Sequence, residues 1–159
     1  MQIVYLRDYP QLYPQVSRWI FEEFPYAFVG MAFGEWLEFV QEGNRGGLMT
    51  TFVLLEGGLP AATASLDLTD FPPRDDWSPW LASVYTLPEH RGKGLAGKLL
   101  ARVEQEAKAQ DFGRIYLHTA DRAEFYAKRG WAEVERLEFW GRVNTVMSKG
   151  LYRVSVGLE

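Results

Sequence analysis

Cysteine is absent from all 159 residues. That excludes a disulfide scaffold, a thiolate zinc site and a cysteine nucleophile. Histidine is almost as scarce: His90 and His118 are the only two. A histidine-built metal site or a serine triad is therefore poorly supplied, and no GxSxG elbow occurs. No metal is expected, and any group transfer is expected to pass straight from donor to acceptor. Long apolar runs are missing as well, since none approaches the ~18 residues a membrane helix needs. Arg7 and Asp8 arrive too early for the apolar stretch of a signal peptide. The expectation is a cytoplasmic protein with no membrane partner.

What remains is an ordinary soluble composition, 47% hydrophobic and 24% charged. The length suits a single domain over residues 1–159 with a sizeable core. The net charge of −4 hides an asymmetry. Residues 1–90 carry 4 Arg and Lys against 12 Asp and Glu, whereas residues 91–159 carry 13 against 9. Every lysine lies in the second part. The acidic total disfavours nucleic acid, and the asymmetry suits a cationic ligand on one side and an anionic one on the other.

Hydrophobic periodicity gives an order of elements. "QIVYLRD" alternates as a strand, and Leu12, Val16, Trp19 and Ile20 keep a helical period between Tyr9 and Phe24. Phe33, Trp36, Leu37 and Val40 mark a second helix. "TTFVLLEGGLPAATASLDL" reads as two strands turning at Gly57-Gly58. A proline-rich acidic loop, "TDFPPRDDWSPW", leads to the strand "LASVYTL". Leu95, Ala96, Leu99, Leu100, Val103 and Ala107 mark the clearest helix, with Arg102–Glu106 and Glu104–Lys108 spaced for ion pairs on its outer face. "RIYLHT" is a further strand. Asp121 and Glu124 have capping-box spacing for a short helix ending at Gly130, and a closing strand pair turns around Gly141. The sum is a mixed α+β layer.

Chemistry concentrates in "LPEHRGKGLAGKLL", Leu87 to Leu100. First-turn helix amides lack partners, and the helix dipole puts partial positive charge there. Glycines let phosphate oxygens approach those amides, so an anion site over Gly92 to Gly97 follows, with Arg91, Lys93 and Lys98 adding charge. Gly92 through Lys98 fits GxxxxGK, but Leu99 stands where Ser or Thr would ligate Mg²⁺. The same glycines fit GxGxxG, the dinucleotide fingerprint. However, "PEHR" separates them from the strand, and too little chain remains for a doubly wound sheet. An NAD-dependent enzyme is thus the weaker alternative.

"VYTLPEHRGKGLAGKLL" resembles the main motif of the GNAT acetyltransferase superfamily, [Q/R]-x-x-G-x-[G/A], with Arg91, Gly94 and Ala96 at its defining positions and Pro88 and Glu89 also typical. "FYAKRGW" resembles the family's Tyr-x-x-x-Gly-Phe block through Tyr126, Gly130 and Trp131. Two departures stand out: Thr119 where many relatives carry Asn, and Trp131 for the commoner Phe. The likeness runs along nearly the whole chain. It implies a GNAT fold, α+β, with a central, mostly antiparallel twisted sheet of about seven strands and four flanking helices.

The resemblance also implies a site. The fourth and fifth strands splay, and the pantetheine arm of acetyl-CoA pairs with Val84, Tyr85, Thr86 and Leu87. Its pyrophosphate rests on Arg91, Gly92, Lys93, Gly94, Leu95, Ala96 and Gly97, with Thr119 in place of the family's Asn. A backbone amide near Thr86 or Leu87 is expected to steady the oxyanion. Tyr126 is the candidate acid for the leaving thiolate, protonated at neutral pH with an ordinary pKa of about 10. The base stays open among Asp67, Asp70, Asp75, Asp76, Glu22, Glu23 and His118. The implied partner is a primary amine of a small molecule or peptide, and the implied assembly a monomer or homodimer. Aromatics of the first two helices and the "FPYAFVG" turn, with nearby carboxylates, suit a cationic acceptor. A non-catalytic acyl-CoA sensor is the alternative from another class.

Overall fold

A computed structural model describes residues 1–151. Its elements follow the order read from the sequence: β1 (Gln2–Tyr5), α1 (Tyr13–Glu23), α2 (Phe33–Gly46), β2 (Met49–Glu56), β3 (Leu59–Asp67), β4 (Trp80–Thr86), α3 (Leu95–Ala109), β5 (Arg114–Thr119), α4 (Ala123–Ala127), β6 (Ala132–Phe139) and β7 (Arg142–Gly150). The first helix begins later than Tyr9. Pro10 opens a separate 3-10 turn, and Pro14 sits in the first turn of α1, the part of a helix that needs no proline N–H.

The strands form one sheet in the order β1-β2-β3-β4-β5-β7-β6. Every neighbouring pair is antiparallel except β4 and β5. A sheet with a single parallel pair cannot be doubly wound, and the dinucleotide reading falls with it.

Side-chain alternation along β2 shows how the layers assemble. Phe52 and Leu54 face one side, where Leu95, Leu99, Leu100 and Val103 of α3 cover them. Val53 and Leu55 face the other, against Tyr13, Val16 and Val40 of α1 and α2. A third cluster, Phe71, Trp80 and Val146, closes the end of the sheet where residues 68–79 cross it. Arg74 holds that crossing, reaching Asp76 at 3.2 Å and Glu135 of β6 at 3.4 Å.

The parallel pair is minimal. Strands β4 and β5 share one register pair, Trp80↔Tyr116, reinforced by Tyr116 N–H donating to the Pro79 carbonyl at 3.0 Å. Beyond it they part. A bulge against β3 between Thr63 and Ser65, with Ser83 at φ 56°, falls at the middle of β4. Bulges bend a strand and increase its twist, which re-aims the far end of β4.

Two local expectations fail. Asp121 does not cap α4. The cap position is Arg122, and Thr119 Oγ1 accepts the amides of Asp121 and Arg122 at 3.4 and 3.0 Å. Thr119 is nearly buried at the end of β5, so its hydroxyl reaches the turn before Asp121 can fold back. Arg102 does meet Glu106 at 3.3 Å, but Glu104 pairs with Lys149 at 2.9 Å and not with Lys108. The partner across the fold outcompetes the one on the same helix.

Buried polar bonds tie α2 to the sheet. Asn44 Nδ2 donates to Val40 O at 2.9 Å and Thr51 Oγ1 at 3.1 Å, while its Oδ1 accepts the Thr51 amide at 2.9 Å. Asn44→Ala strands the buried Thr51 amide, a loss of about 2 kcal/mol by the usual cost of an unmade buried bond. Thermal unfolding is expected to show a melting temperature lower by roughly 4–8 °C.

Candidate functional site

Where β4 and β5 part, a cavity of about 840 Å³ opens, running from the amide loop before α3 to the aromatic residues of the first two helices. Two sets of unpaired backbone groups face it. Antiparallel pairing with β3 uses the Leu87 amide, which donates to Ala61 O at 3.0 Å. Because bonding direction alternates along a strand, the groups of Thr86 and Val84 point the other way, into the gap. The Thr86 carbonyl is already held by Arg91 Nε at 3.0 Å. The expected oxyanion donor at Leu87 is therefore engaged within the sheet.

The second set is the start of α3. Its cap is Gly94 at φ 78°, which carries no side-chain acceptor, and no acidic residue stands in the first turn. Gly92 also has positive φ, at 79°. Among the described residues, none accepts from the amides of Gly92 to Gly97. An uncapped helix start leaves its amides for a bound anion.

The cations expected to surround these amides mostly turn elsewhere. Lys93 is not among the residues lining the cavity; its Nζ lies 3.5 Å from Glu56 Oε1. Glu56 also binds His90 Nδ1 at 2.9 Å, and that bond together with Lys93 holds its carboxyl below the usual range. Lys98 Nζ reaches Met1 Sδ at 3.5 Å. Arg129, not anticipated from the sequence, instead lines the cavity beside Gly97. Leu87 and Lys93 apart, every residue expected at the coenzyme is a lining residue: Val84, Tyr85, Thr86, Arg91, Gly92, Gly94, Leu95, Ala96, Gly97 and Thr119.

Tyr126 lines the same cavity. The spacing Tyr126–Gly130–Trp131 has a local cause. The Trp131 amide donates to Tyr126 O at 3.2 Å, Gly130 turns the chain at φ 93°, and Trp131 is buried at 3% exposure. A side chain at Gly130 would also press Lys149 at 3.2 Å. Burial pushes the Tyr126 hydroxyl up to about 12, Arg122 opposing, so it holds its proton at every physiological pH.

The seven acid–base candidates now separate. Asp67, Asp70, Glu23 and His118 line the cavity, whereas Glu22, Asp75 and Asp76 do not. Asp76 is taken by Arg74, and Glu22 lies 3.8 Å from Arg18. His118 Nε2 and Asp70 Oδ2 are 2.9 Å apart, with the imidazole stacked on Phe71 at 4.4 Å. Asp67, at the end of β3, is 7% exposed and has one hydrogen bond, from the Thr69 amide at 3.0 Å. Burial first, and Asp70 second, raise its pKa to about 7. Phe24, Tyr26, Phe28, Trp36 and Phe39 form the aromatic wall. Trp140 and Arg142, from the tip of the β6–β7 hairpin, complete the site and carry no sequence signal beyond the turn at Gly141.

The mixed α+β sheet, parted between β4 and β5 beside an uncapped helix start, is the fold of a known class of transferases. The chain belongs to the Acetyltransferase (GNAT) family, whose model matches residues 7–131. Among solved structures it is similar to an aminoglycoside 6'-N-acetyltransferase complexed with coenzyme A (TM-score 0.76, 15% identity, covering 98% of this chain and 99% of that one). It is similar to the Enterococcus faecium aminoglycoside 6'-N-acetyltransferase (0.73, 16%, 98% and 99%). A ribosomal-protein-alanine N-acetyltransferase from Brucella melitensis also resembles it (0.68, 19%, 95% and 100%). No curated protein sequence matches it. Members of the family are acetyl-CoA-dependent. Among the described residues no His, Asp and Glu cluster that could hold a metal is found, and no helix is long and apolar enough to cross a membrane.

Gly94→Val tests the loop. Open space surrounds the position, but a β-branched residue at positive φ is strained, by about 1–2 kcal/mol. The variant is expected to fold, and calorimetry to show coenzyme A binding weakened by about tenfold or more, 1.4 kcal/mol.

Proposed function

We propose that this chain transfers an acetyl group directly from acetyl-CoA to the primary amine of a small molecule or peptide. The observation that carries the reading is one cavity holding free amides at the start of α3, a protonated Tyr126 and a buried Asp67 without a counter-ion. Acetyl-CoA supplies the thioester. The amides from Gly92 to Gly97 bind its diphosphate, and the gap-facing edge of β4 at Val84 and Thr86 orients its pantetheine arm. Lys93 contributes its amide and not its ammonium.

Asp67 accepts the proton of the acceptor ammonium, directly or through water. With a pKa of about 7 it is ionised over the upper physiological range, yet basic enough to take a proton. The freed amine forms a C–N bond to the thioester carbonyl, whose developing oxyanion a gap-facing amide of β4 stabilises. The C–S bond breaks, Tyr126 donates its proton to the leaving sulfur, and the acetylated nitrogen gives up its second proton through water, which restores the tyrosine.

An amine panel scored by free-thiol release tests the reading, and coenzyme A binding without release from any amine overturns it. Tyr126→Phe is expected to lower kcat by about 10²-fold with the coenzyme affinity little changed. Asp67→Asn is expected to lower kcat similarly and remove the rise in rate through about pH 7. The same variant gives a stability signature. A carboxyl with raised pKa binds more protons folded than unfolded, so wild-type stability falls as pH climbs from about 4 to 7. Asp67→Asn is therefore expected to melt above wild type at pH 8, the difference vanishing towards pH 4.

A further inference from the structure

The tip of the β6–β7 hairpin is built at a cost and aimed at the cavity. Trp140 and Gly141 both have positive φ, 56° and 69°, and Phe139 pairs with Arg142 across them, which makes a two-residue turn. Gly141 adopts this freely. Trp140 is strained there, and such strain persists only where its surroundings impose it. The surroundings are evident. Asn144, buried at 2% exposure, donates from Nδ2 to the carbonyls of Leu137, Phe139 and Arg142 at 3.4, 3.1 and 3.2 Å. The Trp140 ring is wedged against Tyr26 and His118 at 5.6 Å each and Phe71 at 5.8 Å.

This braced tip holds Arg142 at the cavity wall, its Cζ 4.2 Å from the Tyr26 ring centre. Arg74, Arg102 and Arg136 each meet a carboxylate within 3.4 Å. Arg142 meets none, and among the described residues its guanidinium has no hydrogen-bond acceptor. The Tyr26 hydroxyl likewise has no partner there, and burial keeps it protonated by raising its pKa, with Arg142 opposing. Two donors without acceptors thus stand together in a cavity that also holds Asp67 and Asp70. A guanidinium presents a planar fork that matches a carboxylate.

Resting on the acyl-transfer reading above, we propose that Arg142, with Tyr26, binds a carboxylate of the acceptor, so that the enzyme selects amines that also carry a carboxylate, such as amino acids. The acids of the cavity receive the ammonium and the hairpin tip receives the carboxylate. A polycation would set a positive charge against Arg142, a repulsive contact that discriminates against it.

Matched acceptor pairs differing only by the carboxylate decide this: lysine against cadaverine, ornithine against putrescine, tryptophan against tryptamine. For wild type, kcat/KM is expected to be about tenfold or more higher for the carboxylate member of an accepted pair. Arg142→Gln is expected to remove that preference, raising KM for the carboxylate member by about tenfold while its decarboxylated partner is unchanged or improved, with coenzyme A binding and melting unchanged. Arg142→Lys, which keeps the charge without the fork, is expected to recover part of the loss. Equal or better rates with the decarboxylated members overturn the proposal while leaving acyl transfer standing. So does an Arg142→Gln loss shared equally by both members, which marks a packing role. Thiol release from neither member of any pair overturns this proposal, and acyl transfer falls with it only where the wider amine panel is silent as well. The wild-type comparison decides alone if the variants fail to fold.

Discussion

The structure depends on the parting of β4 from β5. Parallel neighbours need a crossover, and here α3 supplies it. The chain leaves β4 at Thr86 and enters the helix at Leu95, so the start of α3 is delivered to the open side of the gap. Because the pair is held only at Trp80 and Tyr116, the edge of β4 beyond it has no strand to bond. One topological feature therefore leaves two groups of backbone donors and acceptors unpaired in a single cavity. Buried backbone groups are rarely left so, and a ligand that runs along a strand edge and ends in an anion satisfies both.

Much of the charge carried by the second half of the chain turns out to lie away from the anion site. Lys93 goes to Glu56, Arg102 to Glu106 and Lys149 to Glu104, each neutralised where it stands. Positive potential at the loop comes from fixed amide dipoles, which need no side chain to be ordered on binding, together with Arg91 and Arg129, which line the cavity there. The acidic half behaves differently. Most of its carboxylates are solvated or paired with arginine, but Asp67 is enclosed without a cation. Its neighbour Asp70 adds a second negative charge and is itself held by His118.

Most of the fold was legible because its signals are local. The stripe from Leu95 to Ala107, the Gly57-Gly58 turn and the Tyr126–Trp131 block each depend on residues a few positions apart. The loop at Arg91 to Gly97 was legible for the same reason: steric freedom at Gly94 and the helix that follows are both written in sequence. What failed was competition between near and distant partners. Asp121 had the spacing for a cap, yet Thr119 reached the amides first; Glu104 had Lys108 one turn away, yet took Lys149 from β7. The acceptor end was illegible for a stronger reason. Tyr26, Phe71, His118 and Trp140 come from four separate segments, and no periodicity relates them. The seven acid–base candidates separated only once burial was known.

The features left unsatisfied share a direction. Free amides at α3, an enclosed carboxylate at Asp67, a guanidinium without an acid at Arg142 and a strained Trp140 all border one cavity. Elsewhere the fold removes such costs: Asn44 satisfies the Thr51 amide, and Arg74 binds two carboxylates and stacks on Trp77 at 3.6 Å. Outside the cavity the unmade bonds are single atoms, Ser17 Oγ and Trp131 Nε1 among them, whereas here charged groups of both signs stand open together. The charges that would complement them are an anion at the helix start, a cation at Asp67 and an anion at Arg142. A thioester carrier and an amino-carboxylate together carry that set, and either one bound alone leaves part of the cost in place.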